Sequence, residues 1–225
     1  MAYILNIDTA TDFASVCISA DGTVLAMEQN ATQQQHASFL QPAIQKMTKT
    51  TGISLSMLDA VSVSAGPGSY TGLRVGMASA KGICYALQKP LITINTLQVM
   101  AYAAREANTD ADTFFYCPMI DARRMEVFTA VYNAGLEPVW EPQAMIPTEE
   151  SFETLFRQGF ICFSGNGCEK LKPILSKPHA RFSEAQHHAG HLAALSHESL
   201  TRQAFAEIAY AEPFYVKAFF DTRKS

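Results

Sequence analysis

The chain has 225 residues, 48% of them apolar and 17% charged, with a formal net charge of −4. That balance gives a globule with core enough for one large domain or two small lobes, and it argues against a chain that grips nucleic acid unaided. No run of about 20 apolar residues predicts a membrane span, MAYILNIDTA reads as a first strand rather than a signal peptide, and five irregularly spaced cysteines (Cys17, Cys84, Cys117, Cys162 and Cys168) read as free thiols of the cytoplasm.

In chain order, residues 3–7 read as a strand, Asp8-Thr9-Ala10-Thr11 as a tight turn and 14–19 as a second strand. Asp21-Gly22 is a hairpin signal leading to a third strand over 23–29. Residues 36–50 carry Phe39, Leu40, Ala43, Ile44 and Met47 at helical spacing, and Gly52 stops that helix. A strand over 60–64 then runs into Gly66-Pro67-Gly68 and a helix over 72–88, ended by Pro90. A short strand at 91–94 and a helix at 96–107 complete a βββαβαβα order, which predicts a mixed sheet covered by helices.

The polar stretch 105–112 has the composition of a linker. Beyond it the opening pattern returns: Ile7-Asp8 matches Ile120-Asp121, and Gly22 and Gly135 each lie 14 residues after the aspartate. The match is either chance or the mark of two related lobes, 1–106 and 107–225. The second lobe continues with a helix at 149–158, a strand at 160–164, a Gly165-Asn166-Gly167 turn, one short helix and a helical stretch at 187–207. A strand-like segment, 211–217, is expected to pack back on the first lobe.

Three stretches invite a chemical reading. An aspartate after a buried strand is placed to hold magnesium, and nearby amides and hydroxyls to hold phosphate, so Asp8, Thr9 and Thr11 are candidate nucleotide contacts. Ala10 stands where such loops use glycine, and an Asx turn closing the hairpin accounts for the same residues. The second copy carries Arg123 and Arg124 instead, which suit an anion but make no second phosphate clamp. GPGSYTGLRVG, 66–76, fits neither common phosphate motif: Leu73-Arg74 follows Gly72 where a lysine is needed, and Thr71 stands in place of a third glycine. Ser69 or Thr71 caps the helix that follows. The spacing of Gly68 to Gly72 is wrong for a nucleophile elbow. His187, His188, His191 and His197 put two imidazoles on one helix face, but without HExxH or an acidic ligand they read as a solvated face, and no metal is expected.

Taken together, IDTAT at 7–11, GPGSYTGLRVG at 66–76, IDARRMEVF at 120–128 and AEPFYVK at 211–217 resemble the TsaB (YeaZ) family from end to end. The resemblance implies a two-lobed α/β fold of the actin-like, sugar-kinase-like and heat-shock-ATPase-like kind. It implies a non-catalytic subunit needed to form N6-threonylcarbamoyladenosine in tRNA, partnered by the transferase TsaD and the ATPase TsaE, and meeting tRNA only through that complex. The transferase holds a metal through an N-H-x-x-x-H pattern; here Asn95-Thr96 and Met100 occupy the matching positions, so no metal and no cofactor of its own is implied. ADP or ATP at the complex interface remains an expectation.

The partner is expected on the first-lobe helices, through Phe39, Leu40, Ala43 and Met47 on one and Gly72, Val75, Gly76 and Ala80 on the other. Small residues admit a close approach, and buried apolar area drives association. On that expectation Gly76→Trp abolishes partner binding and spares the fold. The alternative is that both faces pack inside the lobe. Without its partner the chain is expected to pair with a second copy through the same helices. Two other functions compete: a nucleotide-binding kinase or hydrolase of the same fold, which needs Asp8 to hold magnesium, and a metallopeptidase, which needs a metal set.

Overall fold

The computed structural model describes residues 1–31, 36–108, 112–175 and 177–217. Strands β1 (Tyr3–Asp8), β2 (Ala14–Ala20), β3 (Thr23–Asn30), β4 (Ala60–Gly66) and β5 (Leu91–Asn95) form one sheet in the order β3-β2-β1-β4-β5. The first three are antiparallel, and β4 and β5 join parallel. Strands β6 (Thr113–Asp121), β7 (Val127–Asn133), β8 (Pro138–Met145), β9 (Phe160–Ser164) and β10 (Ala180–Ser183) form a second sheet in the order β10-β9-β6-β7-β8. Its pairings repeat those of the first, strand for strand and sense for sense. Ile7-Asp8 and Ile120-Asp121 therefore end equivalent central strands. Of the expected linker, residues 109–111 lie outside the described residues.

Helices α1 (His36–Thr51) and α2 (Tyr70–Leu87) cover one face of the first sheet. β1, β2 and β4 are buried almost throughout, which suits strands covered on both faces, whereas β3 is the largely exposed edge. The other face is covered from the far end of the sequence. Helix α5 (Ala189–Thr201) lies across β1 and β2, while α3 (Thr96–Ala107) lies on the second sheet against β6. The two helices have exchanged lobes, each packing on the sheet built by the other half of the chain. Polar contacts fix α5 in place: Ser196 Oγ donates to Asn6 Oδ1 at 2.6 Å, and the Ala189 amide donates to Ser15 Oγ at 2.8 Å. One apolar core runs through both lobes, joining Ile4 and Ile92 to Leu97, Met100, Tyr116, Ile120 and Leu192.

Three elements differ from their sequence expectations. The helix at 149–158 shrinks to α4 (Glu153–Phe156), which has no side-chain cap. The stretch at 187–207 is helical only over α5, because His188 caps its start and the backbone turns left-handed at Gln203 (φ 54°). Residues 211–217 form no strand. Instead the chain after α5 straps the first lobe: the Ala206 amide donates to the Leu91 carbonyl at 2.8 Å, Lys81 Nζ donates to the Ala211 carbonyl at 2.8 Å, and the Phe214 amide donates to the Ala65 carbonyl at 2.7 Å. The strap then reaches the second lobe, where Lys217 pairs with Glu126. All five cysteines are buried free thiols, and burial pushes Cys17 and Cys117 up to about 12 and Cys84 and Cys162 up to about 11. Thiols held that far from ionisation are unreactive. Among the described residues, no helix is long and apolar enough to cross a membrane.

Candidate functional site: the interlobe cleft and the outer helix face

Asp8 ends β1 with its carboxylate turned inward. Oδ1 accepts the Ala10 amide at 3.2 Å, closing an Asx turn, and Oδ2 lies 3.5 Å from His187 Nε2. Thr9 is fully buried, and its hydroxyl donates to the Gly72 carbonyl at 2.7 Å. The Ser69 amide donates to the Ala10 carbonyl at 2.7 Å, and Ser69 Oγ caps α2 by accepting the Gly72 amide at 3.3 Å. The first hairpin and the start of α2 are thus pressed together. Of the three candidate nucleotide contacts, only Thr11 lines the cleft between the lobes.

This close approach explains the glycines. A Cβ on Gly68 would run into the Ala10 carbonyl, one on Gly72 into the Thr9 carbonyl, and one on Gly76 into the Thr9 hydroxyl. The small side of α2 therefore faces the chain's own sheet. Gly72, Gly76 and Ala80 are buried there, and Leu40, Ala43 and Met47 are buried in the same core, so these six cannot present themselves to a partner in this conformation. Phe39 and Val75 are half-buried at the margin of that core. The outward side of α2 carries Thr71, Ala78, Gly82 and Tyr85, which recur at helical spacing; Tyr85 is 82% exposed, and nothing lies within 4 Å of where a Gly82 Cβ would stand. Sequence reasoning missed this side because both sides of α2 are small. The signal that separates them is the large apolar set Leu73, Met77 and Cys84, which marks the inward arc.

The cleft has a volume of about 1260 Å³ and is lined from both lobes. On the second-lobe side, Asp121 repeats the Asx turn, accepting the Arg123 amide at 2.6 Å. Lys170 Nζ also donates to Asp121 Oδ1 at 2.7 Å and holds the carboxyl below its ordinary range. Arg123 (φ 70°) and Arg124 (φ 47°) are both left-handed at the tip of the turn, and both are exposed. Facing them are Tyr70 at the start of α2 and Phe214, Tyr215 and Lys217 of the strap.

The histidines do not form a solvated face. His187 precedes the helix and is buried beside Asp8. His188 caps α5 with its ring by accepting the Gly190 amide at 3.1 Å, and His191 Nδ1 accepts the His188 amide at 3.1 Å. These two rings stack with centroids 3.8 Å apart, and Glu106 lies 3.9 Å from His191. Burial first, then the neighbouring His188 and His187, push His191 down to about 4, and burial lowers His188 as well. A base whose folded pKa lies below its unfolded one takes up protons more readily when unfolded, so its contribution is full above the unfolded value, about 6.5, and is lost as pH falls toward 4. The thermal midpoint should therefore drop between pH 6.5 and pH 4.5, and His191→Gln should flatten that drop, as calorimetry across the range would register. Among the described residues, no three His, Cys, Asp or Glu side chains come together as a metal set. Thr96 and Met100, which the resemblance sets against the transferase's ligands, are used in the core: Thr96 Oγ1 accepts the Gly66 amide at 3.1 Å, and Met100 packs against Gly165.

A family model for TsaD, tRNA N6-adenosine threonylcarbamoyltransferase, matches residues 27–212. The chain is 35% identical over 149 residues to the tRNA threonylcarbamoyladenosine biosynthesis protein TsaB of Escherichia coli K12, covering 65% of this chain and 63% of that one. It is 34% identical over 125 residues to TsaB of Haemophilus influenzae, covering 56% and 51%. These matches span only about half to two-thirds of the relatives' own length. Against the solved structure of YeaZ from Pseudomonas aeruginosa, the TM-score is 0.82 at 25% identity, over 96% of this chain and 100% of that one. With its duplicated sheets and the two-lobed α/β architecture of actin-like ATPases, the chain belongs to the TsaB (YeaZ) family of tRNA threonylcarbamoyladenosine biosynthesis proteins, within the wider family that the TsaD model describes.

Proposed function

We propose that this chain is a non-catalytic, cytoplasmic subunit that supports a TsaD-type transferase in forming N6-threonylcarbamoyladenosine on tRNA. The observation that carries the reading is the internal use of both turn aspartates. Phosphoryl transfer in a two-lobed fold needs an exposed carboxylate for magnesium and free backbone donors for phosphate. Here Asp8 is buried and turned onto its own hairpin beside His187, and Asp121 is held by Lys170. This disfavours the kinase or hydrolase reading.

The outer faces of α1 and α2 are the proposed seat for the transferase. Ala78, Gly82 and Tyr85 form its centre, and Phe39 and Val75 contribute at its margin. Small residues there let a partner helix come close, and an exposed tyrosine supplies a large contact at low entropic cost. A TsaE-type ATPase joins the pair, and ADP or ATP is held at the complex interface, with Thr11 as the contact this chain supplies. In the partner's absence a second copy takes the same face. The purified chain with magnesium and ATP should show no turnover above background. Turnover that disappears in a folded Asp8→Ala variant would restore the kinase or hydrolase reading.

A further inference from the structure

The cleft walls carry a feature that the subunit role leaves unused. Arg123 and Arg124 stand side by side at a turn tip in the left-handed region, where non-glycine residues are uncommon. Neither pairs with a carboxylate among the described residues. The nearby acids are already engaged, Asp121 by Lys170 and Glu126 by Lys217. Across the cleft, the Tyr70 and Tyr215 rings lie 5.5 Å apart, centroid to centroid. The Arg74 guanidinium sits 4.2 Å over the Tyr70 ring, and its Nε donates to the Tyr215 hydroxyl at 3.4 Å. Tyr70, Phe214 and Tyr215 each remain about two-fifths exposed toward this space. One wall is therefore cationic, and the other is an aromatic platform stiffened by an arginine.

We propose that this cleft binds unpaired nucleotides of RNA, with phosphodiesters on Arg123 and Arg124 and a base stacked on Tyr215 and Tyr70. Stacking on an aromatic face with arginines tracking the backbone is how proteins hold single-stranded nucleic acid with little sequence preference. The chain's net charge of −4 does not describe the second-lobe wall of the cleft, where Asp121 and Glu126 are paired and the two turn-tip arginines are not; Asp12 lines the first-lobe side. The inference rests on the reading of the chain as a subunit of a tRNA-modifying complex, and it gives the chain its own contact with the RNA.

The probe is a fluorescent oligoadenylate of about ten nucleotides, within the usual site size. AMP and an RNA duplex of the same length serve as the other arms, and the readout is anisotropy with the full chain. Asparagine tolerates the left-handed region, so Arg123→Asn with Arg124→Asn keeps the turn. That double variant should weaken binding at least about tenfold and reduce the salt slope by about 1.4, since each phosphate contact to a single strand contributes about 0.7. Tyr215→Leu should weaken binding about tenfold, Tyr215→Phe should retain it, and the duplex should bind no better than the double variant does. Three results would overturn the proposal: no binding up to about 1 mM oligomer, binding unchanged in the double variant, or AMP competing mole for mole with the oligomer, which would make the cleft a free-nucleotide site. Co-purification with a TsaD-type transferase separates the two readings. The double variant should still co-purify; failure of the unaltered chain to do so would overturn the subunit reading and leave the RNA result standing.

Discussion

Gly72→Ala is expected to destabilise the first lobe by about 2–4 kcal/mol, and Gly76→Trp to prevent it from folding. The added Cβ at position 72 has backbone on its other side, the Thr9 carbonyl, which cannot swing away without moving the hairpin. Overpacking a dense core costs about 1–3 kcal/mol, and losing the buried bond from Thr9 to the Gly72 carbonyl adds about 1 kcal/mol. At position 76 the obstacle is the Thr9 hydroxyl, with Val63 and Ile7 methyls at 3.4 and 3.6 Å behind it. Alanine is tolerable there at a cost; an indole is not. This reverses the expectation that Gly76→Trp spares the fold. Gly82→Ala should do the opposite and stabilise the chain by about 1 kcal/mol, because it removes an exposed helix-interior glycine and adds no contact. Urea unfolding of Gly72→Ala and Gly82→Ala ranks those two directly, and circular dichroism of Gly76→Trp should show no native fold.

Gly82→Arg should abolish co-purification with a TsaD-type transferase while leaving the urea midpoint unchanged or raised. Arginine is a better helix former than glycine, and position 82 is open to solvent, so the isolated chain loses nothing. In a close helix–helix contact the same side chain forces the partner away and strands a charge in the seam. Interface positions of that kind cost about 3 kcal/mol or more, a hundredfold or greater loss of affinity. Thr48→Arg, half-buried on α1, and Ala78→Arg, exposed on α2, extend the test across the face. A complex that survives all three substitutions would move the transferase to another surface.

The contrast between Gly76 and Gly82 shows what could be read from residues alone. The order of strands and helices in the first half was legible, because alternation in the hairpin and the apolar spacing of α1 are local signals. The duplication was legible too, from Ile-Asp and the glycine 14 residues on. Which face of α2 points inward was not, since Gly72, Gly76 and Ala80 look the same as Ala78 and Gly82 until the first hairpin is set against the helix. The exchange of α3 and α5 was equally hidden: it depends on contacts such as Asn6 to Ser196, 190 residues apart. Strand β8, broken up by Pro138 and Pro142 and largely exposed, gave no pattern to find. In the Asp8 turn, residue types suited to phosphate were present, but their burial under α2, which turns the Thr9 hydroxyl inward, is a tertiary fact.

Reconstitution of tRNA modification with a TsaD-type transferase, a TsaE-type ATPase and a supply of threonylcarbamoyl-adenylate, with and without this chain, tests the central claim most directly. Mass spectrometry of the digested tRNA should show N6-threonylcarbamoyladenosine when the chain is present and little when it is omitted, with a folded Asp8→Ala variant restoring it. Equal modification without the chain, or modification that requires the Asp8 carboxylate, would contradict a supporting, non-catalytic role.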